Sequence, residues 1–195
     1  MSKILFPELE RENIKQRDFS LVKKVLNGDS NAFAALMMHY KNRIFIFGKT
    51  FFKNETDAED FVQDVFTKVY TYLESFKGKS MFSTWLMKIA YTTAINSSKR
   101  RKEYLPIADE ESLPDIANQS PEEVQLRKTA RSAIREAVLQ LPEKYAICVD
   151  MYFSYNIPYS EISEITGFPV NTIKSYIFRS KKLMADNLRG VIYEQ

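Results

Sequence analysis

A chain of 195 residues with 45% hydrophobic side chains is long enough to bury one large helical core or two small ones. One cysteine excludes a disulfide framework, no apolar run reaches the ~18 residues of a membrane span, and the N-terminus lacks a secretory signal's apolar core and cleavage site. A cytoplasmic protein without membrane insertion is therefore expected. The net charge of +3 is unevenly held, because Glu103 to Gln125 carries seven acids and no Lys or Arg, leaving +10 on the rest. Two basic folded parts joined by an acidic, proline-containing tether suit a polyanionic partner. Only five glycines and a period near 3.6 nearly throughout predict an all-α fold.

Residues 1–17 have mixed charge and weak periodicity, and read as a frayed tail or short helical extension without assigned function. From Asp18 a helix carries Phe19, Val22, Val25 and Leu26 and stops at Asn27-Gly28, where glycine supplies the left-handed position. Asp29 or Ser30 caps the next helix. Phe33, Leu36, Met37, Tyr40, Ile44, Phe47 and Phe51 recur there at core spacing. His39 has no second ligand at metal-binding spacing.

Thr56 and Glu59 predict a capping box, opening a helix whose buried stripe is Ala58, Phe61, Val62, Val65, Val69, Leu73 and Phe76. Asp57, Asp60, Gln63 and Asp64 fall on another face. The helix dipole accounts for acids in the first turn but fades by Asp64, which leaves a solvated face or an acidic docking surface. A short basic loop with Lys77, Lys79 and Ser80 follows, then a helix from about Ser83 to Lys102. It combines Phe82, Trp85 and Tyr91 with Thr92, Thr93, Asn96, Lys99 and Arg100. Rings beside cations suit single-stranded nucleic acid, although Trp85 has core spacing and reads mainly as core.

Beyond the tether (103–125), Leu126, Ala130, Ala133, Ile134, Ala137, Val138 and Leu141 point inward from one helix. Pro142 opens another, running to about Tyr155, with Ile147, Met151 and Tyr152 in the core. Cys148 sits in an apolar run as a core residue. A short helix at 158–166, the turn Gly167-Phe168-Pro169 and a long helix from Val170 to about Leu188 have helix-turn-helix grammar. Ile162 and Ile165 meet Val170, Ile173 and Ile177, with Leu183 and Met184 further along. The outward face presents Asn171, Thr172, Lys174, Ser175, Phe178, Arg179, Lys181 and Lys182, suited to base edges and phosphates in a major groove. No Gly-rich phosphate loop, metal cluster or His-paired nucleophile supports an enzyme, and neither catalytic residue nor cofactor is assigned.

Two sets of residues are similar to one family. Asp57-Ala58-Glu59-Asp60-Phe61-Val62-Gln63-Asp64-Val65-Phe66 with Phe82-Ser83-Thr84-Trp85-Leu86-Met87-Lys88-Ile89-Ala90, then Leu141-Pro142-Glu143-Lys144-Tyr145 and the Tyr159 to Lys182 segment, resemble the bacterial sigma factors of the sigma-70 family, extracytoplasmic-function (ECF) group. The resemblance runs from Asp18 to about Arg189. It implies region 2 at 18–102 and region 4 at 126–192, with only the linker between. It places Asp57, Asp60, Gln63 and Asp64 on the clamp helices of RNA polymerase core, with the flap as a second contact. Lys77, Lys79, Ser80, Phe82, Thr92, Thr93, Asn96, Lys99 and Arg100 would capture minus-ten bases as single strands. Asn171, Thr172, Lys174, Ser175, Phe178, Arg179 and Lys182 would read the minus-thirty-five duplex. The linker resembles the segment threaded towards the RNA exit path, and an anti-sigma factor is an implied partner.

Promoter elements two helical turns apart lie roughly 70 Å from each other. The linker has an r.m.s. span of about 25 Å and stretches to roughly 80 Å, so the polymerase must hold it extended. The alternative reading is a polymerase-independent helix-turn-helix regulator whose N-terminal half dimerises or senses.

Overall fold

The computed structural model describes residues 8–52, 54–104, 134 and 136–193, and every regular element among them is helical. The first helix, α1 (Glu8–Leu26), begins at Glu8 rather than at Asp18. Asp18 is fully buried in the middle of α1, where its carboxylate pairs with Arg17 at 2.7 Å and accepts a hydrogen bond from the Tyr40 hydroxyl. A polar residue in the core stripe disguised the helix before it. Gly28 ends α1 at φ +92°, and Asp29 caps α2 (Ser30–Lys49) by accepting from the amides of Asn31 and Ala32 at 3.0 and 3.1 Å.

Leu36, Tyr40, Ile44 and Phe47 of α2 are buried, with Phe33, Met37 and Phe51 packed beside them. α2 approaches α3 (Glu55–Tyr72) closely at Gly48, where an added Cβ would meet the Phe61 ring at 2.7 Å. The cap of α3 is Asn54, not Thr56: Asn54 accepts from the Asp57 amide at 2.7 Å and donates to the Asp57 carboxylate at 2.6 Å. Both pairs have three-residue spacing, but Asn54 has the extended backbone that the capping position requires. All seven residues expected in the stripe, from Ala58 to Phe76, are buried. A 3-10 turn (Leu73–Ser75) and the basic loop lead to α4 (Phe82–Tyr104), which runs two residues into the acidic segment.

The remainder of that segment, and most of the helix expected before Gln140, lie outside the described residues. Residues 136–139 are helical, with Ala137 buried; Ile134, expected inward, is 52% exposed. α5 (Glu143–Phe153) follows Pro142 and is shorter than expected at its C-terminus. Its Ala146, Ile147, Cys148, Val149 and Met151 fill the second core, each large apolar side chain contributing about 1.5–3 kcal/mol by leaving water. α6 (Tyr159–Thr166) and α7 (Val170–Tyr193) complete the C-terminal half. Ile162, Ile173 and Ile177 are buried between them, whereas Leu183 is 42% exposed.

The two halves pack together, α6 against α4. Tyr155, in the connection after α5, is 5% exposed, and its hydroxyl has no hydrogen-bond partner among the described residues. It lines a chamber of about 180 Å³ with Ser154 and Asn156 from its own half and Tyr40, Arg43 and Ser83 from the other. Burial raises its pKa well above 10.0, with Asp150 adding to the rise and Arg43 opposing it. On the same seam, burial and the proximity of Cys148 and Glu143 raise the Tyr91 pKa.

Candidate nucleic-acid and polymerase interfaces

The first surface is the start of α3. Asp60, Gln63 and Asp64 are exposed on successive turns, while Asp57 is half-buried and engaged in the reciprocal cap with Asn54. Beside Gln63 a largely apolar groove of about 630 Å³ opens between α2 and α3, lined by Met37, Met38, Lys41, Asn42, Phe45, Glu59 and Val62. Met38 is 83% exposed. Polarizable methionines next to a row of carboxylates give a surface with both apolar adhesion and charge selectivity. The excess of apolar residues on α2 over one helical stripe was the available sign of this groove.

The second surface joins the basic loop to α4. Gly78 turns the loop at φ +68° and lies against the Phe19 ring, which a Cβ there would meet at 2.8 Å. Lys77 donates to the Glu74 carbonyl at 2.8 Å, which helps shape the loop. Lys79 is exposed and Ser80 half-buried. Phe82 corrects the expected list: it is 1% exposed inside an aromatic cluster, 5.4 Å from Phe76, 5.6 Å from Trp85 and 5.5 Å from Tyr40. A ring enclosed by three others has no face left for a base. Thr93 is likewise buried, and its hydroxyl accepts from Lys68 at 3.1 Å.

Above these residues lies a cleft of about 380 Å³ lined by Lys68, Tyr72, Ser75, Trp85, Lys88, Ile89, Thr92, Thr93 and Asn96. Thr92, Asn96 and Lys88 are exposed, Tyr72 is 56% exposed, and Trp85 is half-buried. Two aromatic side chains, two cations and several hydroxyl or amide groups converge here, the combination on which an unpaired base stacks while its phosphate is neutralised. Lys68, Tyr72 and Lys88 had not been singled out, and Trp85 serves both core and cleft. Lys68 and Tyr72 are four residues apart on the far end of α3 from the acids, which alone would have marked a shared face. The backbone of Lys99 and Arg100 is helical, but their side chains lie outside the described set.

The third surface is the outer face of α7. Gly167 adopts φ +76°, and its amide donates to the Ser163 carbonyl at 2.9 Å. The Ser163 hydroxyl donates to the Phe168 carbonyl at 2.7 Å, and the Phe168 amide donates to the Thr166 hydroxyl at 3.2 Å. These bonds fix the turn that angles α7 against α6. Asn171, Lys174, Ser175, Phe178, Arg179, Lys181 and Lys182 are exposed, and Thr172 is half-buried at the first turn. Ser180 is fully buried and donates to the Tyr176 carbonyl at 2.7 Å, which anchors the opposite face.

Residues 36–104 match the family description Sigma-70 region 2, and residues 131–184 match Sigma-70, region 4. The RNA polymerase sigma-H factor of Pseudomonas aeruginosa is 30% identical over 92% of this chain and 98% of its own length. The ECF RNA polymerase sigma-E factor of Escherichia coli K12 is 30% identical over 90% of this chain and 96% of its own. The chain belongs to the sigma-70 family, in its ECF group. It is accordingly a promoter-specificity factor for transcription initiation by RNA polymerase, and not a polymerase-independent regulator. Among solved structures, CnrH in complex with the cytosolic domain of CnrY covers 89% of this sigma factor and 98% of CnrH, with a TM-score of 0.60 at 18% identity. RpoE in complex with the anti-sigma factor NepR from Bartonella quintana covers 80% of it and 96% of RpoE, with a TM-score of 0.61 at 19% identity. At these identities the likeness bears on the fold, which is all-α here as well. No helix among the described residues is long and apolar enough to cross a membrane.

Proposed function

We propose that this sigma factor divides its work among the three surfaces, with the α3–α4 cleft as the observation that carries the reading. Asp60, Gln63 and Asp64, with the Met37–Met38–Phe45 groove, dock on the clamp helices of core polymerase, Asp57 contributing mainly by holding the end of α3. Lys77, Lys79, Ser80, Thr92 and Asn96, joined by Lys68, Tyr72, Trp85 and Lys88, take an unpaired minus-ten base. Phe82 and Thr93 support the cleft from beneath. Lys99 and Arg100 extend the same positive surface along α4. Asn171, Thr172, Lys174, Ser175, Phe178, Arg179 and Lys182 read the minus-thirty-five duplex, phosphates and base edges together. Residues 18–102 thus act as region 2, extended upstream by α1, residues 126–192 act as region 4, and 103–125 serve as the threaded linker.

Catalysis belongs to the polymerase, so this chain supplies specificity and strand separation through binding alone, in the cytoplasm where the polymerase works. The packed arrangement must open to do so. α7 rests on α6 and α6 on α4, and helices pack 8–10 Å apart, which puts the axes of α4 and α7 about 20 Å apart across the stack. Promoter elements two turns apart need roughly 70 Å. The solved relatives bind CnrY and NepR, and an anti-sigma protein that holds the closed form is the corresponding partner for this chain. Replacing Asp60 and Asp64 together by Lys tests the docking surface. Capture of core polymerase should fall at least ten-fold with an unchanged melting temperature, because both residues are exposed. Unchanged capture would reject the α3 assignment.

A further inference from the structure

Tyr145 lies on α5, outside every surface assigned above, yet it touches the reading helix twice. Its amide donates to the Pro142 carbonyl at 2.7 Å, which fixes it in the first turn of α5. Its half-buried ring packs tilted against Tyr176 of α7, with centroids 4.8 Å apart and planes at 33°. Tyr176 in turn takes the edge of Phe168 at 5.8 Å and 88°. Three rings from α5, the turn and α7 therefore hold the Tyr145 phenol in place. Its hydroxyl accepts a hydrogen bond from Arg179 Nη1 at 3.3 Å. Arg179 is otherwise exposed, one turn beyond Tyr176.

A guanidinium carries five N–H donors in a planar fork. One bond to a fixed phenol restrains the side chain and leaves donors for a bidentate contact, whose usual partner in a major groove is O6 and N7 of guanine. An unrestrained arginine gives up several rotatable bonds on reaching DNA, whereas one already aimed gives up fewer. We propose that Tyr145 is a positioning residue for minus-thirty-five readout, aiming Arg179 at a guanine without touching DNA itself. The inference rests on α7 being the duplex-reading element.

The test uses holoenzymes reconstituted with the wild-type chain, Tyr145→Phe, Arg179→Ala and the double variant, on promoter fragments randomised across the minus-thirty-five element. Phenylalanine keeps the ring contact with Tyr176 and removes only the hydroxyl, and thermal melts of the four chains check that folding is intact. Tyr145→Phe should lower preference for guanine at one base pair about five-fold, at the same pair affected by Arg179→Ala. The double variant should be no worse there than Arg179→Ala. A Tyr145→Phe holoenzyme with the wild-type base profile, or one weakened equally on all sequences, would overturn the positioning role. If Arg179→Ala itself changes neither affinity nor base preference, the reading of α7 fails instead, and this proposal with it.

Discussion

Replacing Tyr155 by phenylalanine should close the molecule more tightly rather than loosen it. The ring is 5% exposed in the seam between the halves, and its hydroxyl finds no partner among the described residues. A buried hydroxyl without a partner costs about 1–3 kcal/mol of lost hydration. Because Arg43, Ser83 and Asn156 bring polar groups into the lining of the chamber beside it, the low end applies, about 1 kcal/mol. Removing the oxygen while keeping the ring should favour the closed form about five-fold. If core polymerase binds only the opened form, its apparent affinity falls by the same factor. The melting temperature should rise by about 2–4 °C. Fluorophores on α2 and α7 would report a higher fraction of closed molecules, and transcription at limiting core polymerase should fall. A lower melting temperature with unchanged transcription would show that the hydroxyl is satisfied and that the seam is no obstacle to assembly.

Gly78→Ala combines a left-handed backbone with a Cβ that meets Phe19 at 2.8 Å. Strain of this kind costs about 1–3 kcal/mol, and Phe19 is exposed enough to yield, so a loss of about 1–2 kcal/mol is expected. Thermal melts measure the loss, and permanganate reactivity of promoter thymines should show weaker opening; wild-type values in both would mean that the loop is not held in this shape. Alkaline pH should unfold the protein in a defined window. Burial pushes the Cys148 thiol from 9.0 up to about 12 and raises Tyr40 and Tyr155 above 10.0. These groups stay protonated more firmly when folded, so their contribution is complete below about pH 9 and is lost as pH rises towards their folded values. The melting temperature should hold to about pH 9 and then fall, and Cys148→Ala should delay the onset towards pH 10. A melting temperature that climbs above pH 9 would contradict the sign.

Local periodicity carried most of the fold. The stripe from Ala58 to Phe76 is buried as expected because each residue sits on one side of a 3.6-residue repeat. Gly167 marked its turn because only a left-handed position needs glycine there. The capping box expected at Thr56–Glu59 gave way to Asn54–Asp57, which has the same three-residue spacing, because the backbone is extended at Asn54. Phe82 beside cations resembled a stacking platform, but three surrounding rings enclose it, and one of them, Tyr40, comes from 42 residues earlier in the chain. The cleft joining Lys68 and Tyr72 to Trp85 and Lys88 also depends on two helices meeting, as does the Tyr155 seam between residues over one hundred positions apart. Asp18 was expected at a helix start, and only its bonds to Arg17 and Tyr40 reveal it as a core residue inside α1.

The most direct test of the central claim is in vitro transcription with purified core polymerase on a pool of promoter fragments from the protein's own genome. Adding the chain should produce discrete transcripts absent from core polymerase alone, with two shared upstream elements about two helical turns apart. If the chain shifts a defined duplex by itself while no transcript starts, it binds DNA without directing polymerase, and the division of labour among α3, α4 and α7 is wrong.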